Sequence, residues 1–263
     1  MDSQATDIYA AIYSQQLQEE GRWLEMCGPE KANSVRILLR RNGIQTQTIA
    51  ELGAGTGAVI RELKKQRLAA DYLAVDSSPL AISYLAEHDS AIRTLVMDIT
   101  APCFTLDRHY DVLVLSHVLE HLRDPENFLN IVHRLSWDWL VAEVPLEDLP
   151  LCRAKLLFTN TRADNRAGHV QFFTAGSFER LLTKCGLTVI DRRRYSPALT
   201  PQMIGFQARK NGVTSLKQVQ MMLTGWVLPN LMGPLWRWLY LANYAVLAIR
   251  SGDRGQHKRL SDD

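Results

Sequence analysis

The sequence predicts an α/β fold in which helices cover a doubly wound, mostly parallel seven-stranded sheet. From residue 48 onward, short runs rich in β-branched residues alternate with amphipathic stretches, and this alternation is typical of βαβ units. A glycine-rich turn joins the first such run to the next helix, as in nucleotide-binding folds of this kind. The chain has 263 residues, 46% of them hydrophobic, which is enough to bury one substantial core.

Five parallel strands and their crossover helices follow from these patterns. Ser78-Pro79 and Asp124-Pro125 indicate helix starts, because a capping side chain followed by proline suits a first helical turn. The expected helices cover Val59 to Gln66, Leu80 to His88 and Glu126 to Leu135. The expected strands are Thr48 to Leu52, Asp71 to Val75, Ile92 to Met97, Asp111 to Ser116 and Trp139 to Val144.

Helices and a final hairpin are expected on either side of this region. Before Thr48, two N-terminal helices are predicted, separated by a break at Cys27-Gly28-Pro29. A helix from Ser177 to Cys185 then precedes an antiparallel hairpin of two strands, Leu187 to Tyr195 and Met203 to Arg209. The predicted domains are an N-terminal helical cap (1–46), a cofactor-binding domain (47–210, with an insert at 146–174) and a C-terminal hydrophobic helical extension with a polar tail (211–263).

The composition disfavours several classes of partner. The formal net charge is only +2, far from the basic excess that phosphate-backbone binding requires, so we expect no nucleic acid partner. The N-terminal residues lack a basic segment before an apolar core, so we expect no signal peptide and a cytoplasmic location. No metal site is expected, because the cysteines are scattered without ligand spacing and are interpreted as reduced thiols. They are Cys27, Cys103, Cys152 and Cys185.

Polar residues fall at the predicted carboxyl ends of four strands, where open α/β sheets bind their ligands. Glu51 lies near the end of the first strand, one residue before the loop Gly53-Ala54-Gly55-Thr56-Gly57; Asp76 and Asp98 directly follow the second and third strands, and Ser116 ends the fourth. The loop also fits a dinucleotide fingerprint, so by itself it leaves the cofactor open. Three functions remain compatible with it: methyl transfer, NAD(P)-dependent oxidoreduction, and binding of a cofactor without catalysis.

The surrounding motifs resemble those of class I S-adenosylmethionine-dependent methyltransferases, specifically the small-molecule branch with a Glu-His pair after the fourth strand. The resemblance spans roughly residues 48–209. The matching segments are ELGAGTG (51–57), Asp76, MDI (97–99), DVLVLSHVLEHLRDP (111–125) and GHVQFFT (168–174), the last leading into 178–187.

The resemblance implies S-adenosylmethionine as cofactor and a role for each matching residue. The loop of Gly53, Ala54, Gly55 and Gly57 would lie under the cofactor. Glu51 would engage the charged amino group, directly or through water, and Ser116 or His117 would contact the same end. Asp76 with Ser77 would hold the ribose, Asp98 would receive the adenine amino group, and Ile99 would line the adenine slot.

A hydroxyl acceptor also needs a group that takes its proton, and neutral imidazole suits this role near physiological pH. His121 is the preferred base, with His117 and His169 as further candidates, although helix packing is an alternative role for the pair His117 and His121. The turn after the fourth strand lacks the Asn- or Asp-Pro-Pro-aromatic pattern of the adenine- and glutamine-modifying N-methyltransferases, which disfavours methylation of nucleic acid bases. We expect O-methylation of a small-molecule, sugar or lipid-linked acceptor.

The segment 222–250 is unusually apolar and aromatic, with one charged residue, Arg237, before residue 250. Pro229, Gly233 and Pro234 interrupt its first half, so the expected helix runs only from Leu235 to Arg250, short of a membrane span. Such a helix suits peripheral attachment at the inner face of a membrane. The alternatives are packing on the catalytic domain, a wall of the substrate pocket, or a homodimer interface.

Overall fold

A computed structural model describes residues 3–147, 149–158, 168–197, 199–240 and 242–253, with side chains from Tyr13 onward except at 155–158. Seven strands form one sheet. They are β1 (Thr48–Leu52), β2 (Asp71–Asp76), β3 (Arg93–Val96), β4 (Tyr110–Ser116), β5 (Trp137–Leu146), β6 (Leu187–Tyr195) and β7 (Ala242–Arg250). The helices are α1 (Ser3–Arg41), α2 (Ala58–Lys65), α3 (Pro79–His88), α4 (Pro125–Arg134), α5 (Pro150–Phe158), α6 (Ala175–Lys184), α7 (Pro201–Lys210), α8 (Ser215–Met222), α9 (Leu228–Met232) and α10 (Trp236–Leu239).

The strand order is β3-β2-β1-β4-β5-β7-β6. The first five strands are parallel, and β7 pairs antiparallel with both β5 and β6. The predicted fold class is therefore confirmed, as are the five parallel strands and their helices, each within two residues. The predicted helix starts are also present, since the side chains of Ser78 and Asp124 accept hydrogen bonds from the amides of Ala81 and Asn127.

The central strands are buried on both faces, which explains their continuous apolar sequence. In β4, Leu113 belongs to the core cluster on one face of the sheet, where Phe128 and Phe178 also lie. Val114 belongs to the cluster on the other face, together with Ile60 of α2. The carboxyl ends of β1, β2 and β4 consequently meet at one edge between two helical layers.

The N-terminal break lies at a different position from the one predicted. One helix, α1, continues through Pro29, and its kink is at Gln16, where φ is −141° and ψ is 32°. A Cβ on Gly28 would lie 2.6 Å from the backbone oxygen of Ala58. Gly28 therefore permits close packing of α1 on α2 instead of ending the helix.

The second strand of the predicted hairpin is wrong, because residues 201–210 form α7. The hydroxyl of Thr200 accepts a hydrogen bond from the amide of Met203 at 3.2 Å, and Pro201 occupies the first turn. This cap and proline are the same start signal that identified two earlier helices. The antiparallel partner of β6 is β7, whose sequence lies much further along the chain.

The helix predicted from Leu235 to Arg250 is also wrong over most of its length. Only α10 and the short 3₁₀ turn before it are helical, and residues 242–250 form β7, in which Ala242 to Ile249 are all buried. A strand buried on both faces has no polar alternation, so its sequence resembles that of a buried helix. No helix in the described part of the chain is long and apolar enough to cross a membrane.

Candidate active site

A cavity of about 590 Å³ opens at the carboxyl edge of the parallel strands. Residues from α1 and α7 lie across from the strand ends and complete its wall, among them Trp23 and Gln207. Every predicted site residue except Gly57 lines this cavity. They are Glu51, Gly53, Ala54, Gly55, Asp76, Ser77, Asp98, Ile99, Ser116, His117, His121 and His169.

The glycine loop is fixed to the end of β2 through Asp76. The amide of Gly55 donates to Oδ2 of Asp76 at 2.8 Å, and the amide of Ser78 donates to Oδ1 at 2.8 Å. Gly53 has a φ of +75°, and a Cβ there would lie 2.7 Å from a methyl carbon of Val118. Burial raises the pKa of Asp76, against the effect of the backbone amides. The loop therefore holds an acidic side chain at the cavity wall with little solvent around it.

Glu51 lies at the end of β1 and is 2% exposed. Its Oε2 accepts a hydrogen bond from the amide of Ile60 at 2.9 Å, which ties β1 to the first turn of α2. Burial raises the pKa of Glu51 to about 8, although the Ile60 amide and the charge of Lys31 oppose this shift. A cation in the cavity would favour the ionised carboxylate, because opposite charges attract strongly in a site with little water.

Asp98 follows β3 and caps the next turn. Its Oδ1 accepts hydrogen bonds from the amide and the hydroxyl of Thr100 at 2.8 and 2.7 Å, which fixes the carboxylate beside the cavity. Ile99 is 8% exposed and lies next to it, so apolar surface adjoins the acid. At the end of β4, the buried hydroxyl of Ser116 has no hydrogen-bond partner among the residues that the structure describes.

His117 is held between two buried glutamates in a left-handed conformation with a φ of +58°. Its Nδ1 lies 3.1 Å from Oε1 of Glu120, and its Nε2 lies 3.2 Å from Oε1 of Glu143. The hydroxyl of Tyr195 also donates to Glu143, at 2.7 Å. Burial and the charge of Lys31 act to lower the pKa of His117, but the two carboxylates outweigh them and raise it. The raised pKa favours the imidazolium form of His117, which is unsuited to accept a proton.

The segment that carries His169 is anchored on Glu120. The amides of Val170 and Gln171 donate to the backbone oxygen of Glu120 at 2.8 and 3.0 Å. His169 is thereby placed beside His121, with their ring centroids 4.8 Å apart and the rings edge to face. The sequence did not place this segment, because its contacts join distant parts of the chain.

The two histidines differ in their surroundings. Nδ1 of His169 lies 2.6 Å from Oε2 of Glu147, and Nδ1 of His121 lies 3.4 Å from the backbone oxygen of Gly168. Burial lowers the pKa of His121 despite the opposing charge of Glu120. His121 is therefore neutral near pH 7, the state in which an imidazole can act as a base.

Glu120, His121 and His169 also bring ligand-type atoms within 4.8 Å of one another, and such a set has the composition of a divalent-cation site. Burial acts to raise the pKa of Glu120, but the histidines lower it to about 2, with His117 foremost. The charge of Glu120 is thus already balanced by His117.

Several residues at the site were not selected from the sequence. Glu120 belongs to the quoted motif but was not assigned a place in the site. Lys31 and Lys210 come from helices outside the parallel sheet, and both line the cavity, with Lys210 paired to Glu20. No local signal in the sequence marks these two lysines, because only helix packing brings them to the strand ends.

The fold and the site together define a class I methyltransferase architecture. Solved structures with similar folds include a cyclopropane synthase from Mycobacterium tuberculosis, with 17% identity, a TM-score of 0.55 and 83% of each chain covered. A protein from Galdieria sulphuraria described as a sarcosine dimethylglycine methyltransferase has 14% identity, a TM-score of 0.54 and 85% of each chain covered. Coclaurine N-methyltransferase has 16% identity and a TM-score of 0.53, with 84% of this chain and 72% of that chain covered.

The chain belongs to the methyltransferase-domain family, whose model matches residues 6–192. It is therefore an S-adenosylmethionine-dependent methyltransferase, and the oxidoreductase and non-catalytic alternatives are set aside. No curated protein sequence matches the chain.

Proposed function

We propose that this methyltransferase transfers a methyl group from S-adenosylmethionine to a hydroxyl of a small or lipid-linked acceptor, with His121 accepting the hydroxyl proton. The observation that carries this proposal is the neutral, buried imidazole of His121 at the cavity wall. A hydroxyl loses its proton as the methyl group is transferred, so a base within reach raises the rate.

The cavity fits the cofactor through features of this structure. The backbone of Gly53 and Gly55 lines the cavity without side chains, and a Cβ on Gly55 would lie 2.8 Å from the hydroxyl of Tyr13 on the cavity wall. Glu51 offers a buried carboxylate whose ionised form a cationic ligand would favour, and the hydroxyl of Ser116 lacks a partner among the described residues. When bound, S-adenosylmethionine supplies an electrophilic methyl group on its sulfonium.

The chain's own residues would orient the two reactants and move the proton. Asp76 and Ser77 would hold the ribose, and Asp98 and Ile99 would receive the adenine. Glu51 and Ser116 would bind the methionine end, which sets the direction from which an acceptor must approach. Alignment of this kind is the main protein contribution to methyl transfer.

His117, His121 and His169 would then have different roles. His117, paired with Glu120 and Glu143, would fix the turn after β4 and contribute positive charge. His121 would take the proton, the charge of Glu120 would stabilise the imidazolium that forms, and the adjacent His169, paired with Glu147, would carry the proton onward. This division follows from the opposite pKa shifts of His117 and His121.

The wall opposite the strand ends supports an acceptor with both apolar and polar parts. Tyr13, Trp23 and Leu24 of α1 present aromatic and aliphatic surface to the cavity. Gln207 and Lys210 of α7 present polar groups to the same space. An amphiphilic hydroxylated molecule matches this lining better than a nucleic acid base does, since the chain is close to electroneutral.

The test is formation of S-adenosylhomocysteine when purified protein is incubated with cofactor and fractionated metabolite extracts, both aqueous and lipid. The proposal expects a product that carries an O-methyl group, identified by mass spectrometry with isotopically labelled cofactor. A product methylated only on nitrogen or carbon would contradict the assignment of the acceptor atom. Dialysis against a chelator should leave turnover unchanged. If turnover were lost on dialysis and recovered on addition of zinc, the cluster of Glu120, His121 and His169 would instead be a metal site.

A further inference from the structure

The segment from 215 to 239 presents an apolar outer surface. Of the thirteen large apolar side chains that are exposed in the described part of the chain, seven lie in this short region, and no residue described between 215 and 235 is buried. Exposed apolar side chains concentrated in one short region mark a contact with a partner or a membrane. The seven are Leu216, Val219, Leu223, Trp226, Leu231, Leu235 and Trp238.

The inner side of the same segment is attached to the catalytic fold. A Cβ on Gly225 would lie 3.0 Å from a methyl carbon of Leu199, so the π-helical turn Leu223–Val227 packs closely against the chain leading to α7. Trp236 is buried, and Arg194 and Arg237 each donate to the backbone oxygen of the other residue, at 2.9 and 3.1 Å. The outer apolar side chains are therefore held on a fixed support.

The charge pattern favours an anionic partner. No aspartate or glutamate occurs between Asp191 and Asp253, whereas eight arginines and lysines do. Four of the eight, Arg192, Arg193, Lys210 and Arg250, are paired with acidic residues outside this stretch. Lys217 is exposed on α8 beside Leu216, and Arg209 is exposed on α7. Leucines and tryptophans flanked by basic residues, without acidic residues, are typical of elements that insert into the headgroup region of an anionic bilayer.

We infer that residues 215–239, the interfacial segment, bind the surface of an anionic lipid bilayer with their apolar face in the headgroup region. The segment follows the cavity wall directly along the chain, since Gln207, Lys210 and Asn211 line the cavity and α8 begins at Ser215. Resting on the proposed function, this docking places the cavity next to the membrane, where a lipid-linked hydroxyl is delivered. The contact is made by the helical part of the chain before β7 and not by the predicted helix from Leu235 to Arg250.

The test is sedimentation of the full chain with vesicles, in the absence of cofactor and acceptor. Vesicles of phosphatidylcholine with phosphatidylglycerol should bind the protein, and vesicles of phosphatidylcholine alone should bind it less, with the difference shrinking as salt is added. The emission of exposed Trp226 and Trp238 should shift to the blue on binding. Protein that stays in the supernatant with anionic vesicles at low salt would overturn the inference.

Matched variants separate the interfacial segment from general hydrophobicity. The variant Leu216→Ser/Leu231→Ser should lower the bound fraction roughly tenfold, since binding scales with buried apolar area. Val96→Ser/Ile190→Ser, which changes two exposed apolar side chains on β3 and β6, outside the interfacial segment, should bind as the parent does. Equal thermal unfolding of both variants excludes misfolding as the cause.

Two further outcomes are decisive. Light scattering that shows a dimer in the parent and a monomer in Leu216→Ser/Leu231→Ser, without vesicle binding, would assign the surface to contact between copies of the chain. Vesicle binding together with methylation of water-soluble acceptors alone would keep the membrane surface and reject the lipid-linked acceptor. Failure of the docking and failure of the proposed chemistry are thus distinguished.

Discussion

The imidazole rings of His121 and His169 meet edge to face, with centroids 4.8 Å apart, although they come from separate segments of the chain. The contact exists because the backbone oxygen of Glu120 accepts hydrogen bonds from the amides of Val170 and Gln171. Glu120, in the turn after β4, therefore holds the segment of His169 beside the proposed base His121.

Replacement of His121 tests the proposed base. We expect His121→Ala to reduce turnover by about 10²–10⁴-fold while affinity for S-adenosylhomocysteine stays nearly unchanged, because general-base catalysis contributes on this scale. Single-turnover kinetics and calorimetric titration measure the two quantities. His109→Ala is the control, since His109 is an exposed histidine just before β4, at the opposite end of that strand. Turnover equal to that of the parent would leave alignment of the reactants as the main source of catalysis.

Asp76→Ala should weaken cofactor binding by about 1.5–3 kcal/mol, the range for charge-assisted hydrogen bonds. Part of this loss would come from the glycine loop, because Asp76 accepts a hydrogen bond from the Gly55 amide. Asp76→Asn tests this contribution, since its amide oxygen can still accept from the loop. Unchanged affinity for S-adenosylhomocysteine in Asp76→Ala would place the ribose elsewhere.

The raised pKa of Glu51 predicts that cofactor affinity depends on pH. The ligand-free protein holds a proton on Glu51 up to about pH 8, and a cationic ligand favours the carboxylate, so binding releases that proton. In the parent, affinity for S-adenosylmethionine should rise as pH increases toward about 8. In Glu51→Gln this rise in affinity should be absent. Calorimetry in buffers of different ionisation enthalpy measures the released proton. An identical pH dependence in the variant would show that another group is responsible.

The same shift has a consequence for folding. The unfolded chain releases the proton of a glutamate near pH 4.5, whereas folded, ligand-free protein retains it until about pH 8. The folded state therefore binds more protons in this window, and the contribution of Glu51 to stability decreases as pH rises through it. In Glu51→Gln, the free energy of unfolding measured with urea on ligand-free protein should not show this decrease with rising pH.

His117 should be important for stability. His117→Asn leaves Glu120 and Glu143 without their shared cation, so we expect a loss of about 3–5 kcal/mol in the free energy of unfolding, the range for breaking a buried pair. The pKa of His117 is raised in the folded state. The stabilisation of the fold by His117 is therefore complete at low pH and is lost as pH rises through the folded-state pKa. The additional change Glu120→Gln should restore part of the stability. Urea unfolding of the single and double variants against pH checks this, and a parent-like His117→Asn would contradict the ion-pair network.

Truncation after Gly212 should prevent folding. It removes β7, which lies between β5 and β6 and whose Arg250 donates to the backbone oxygens of His133, Leu135 and Trp137. Truncation after Asp253 removes only residues beyond this strand and should leave the circular dichroism spectrum and thermal unfolding nearly unchanged. A folded, cofactor-binding protein that ends at Gly212 would contradict the role of β7.

The sequence by itself determined the five parallel strands of the sheet and the acidic residues at their carboxyl ends. Between Thr48 and Leu146, each strand and helix is local, and start signals such as Ser78-Pro79 mark where elements change. The polar residues at the strand ends could be placed without coordinates, because the carboxyl ends of parallel strands share one edge of a sheet. Burial of these residues was not predictable to the same extent, since it depends on α1 and α7 from outside this region.

Only the tertiary structure decided the end of the sheet and the surroundings of the histidines. The run from Ala242 to Ile249 is apolar on both faces, so its periodicity does not distinguish a helix from a strand, and pairing with β5 and β6 selects the strand. His117 and His121 lie close in sequence, yet their pKa values shift in opposite directions. Glu120 lies 3.1 Å from His117 but 3.9 Å from His121, and Glu143 contacts His117. Burial and the charge of His169 lower the pKa of His121. Non-local contacts of this kind depend on chain segments that local sequence patterns do not relate to each other.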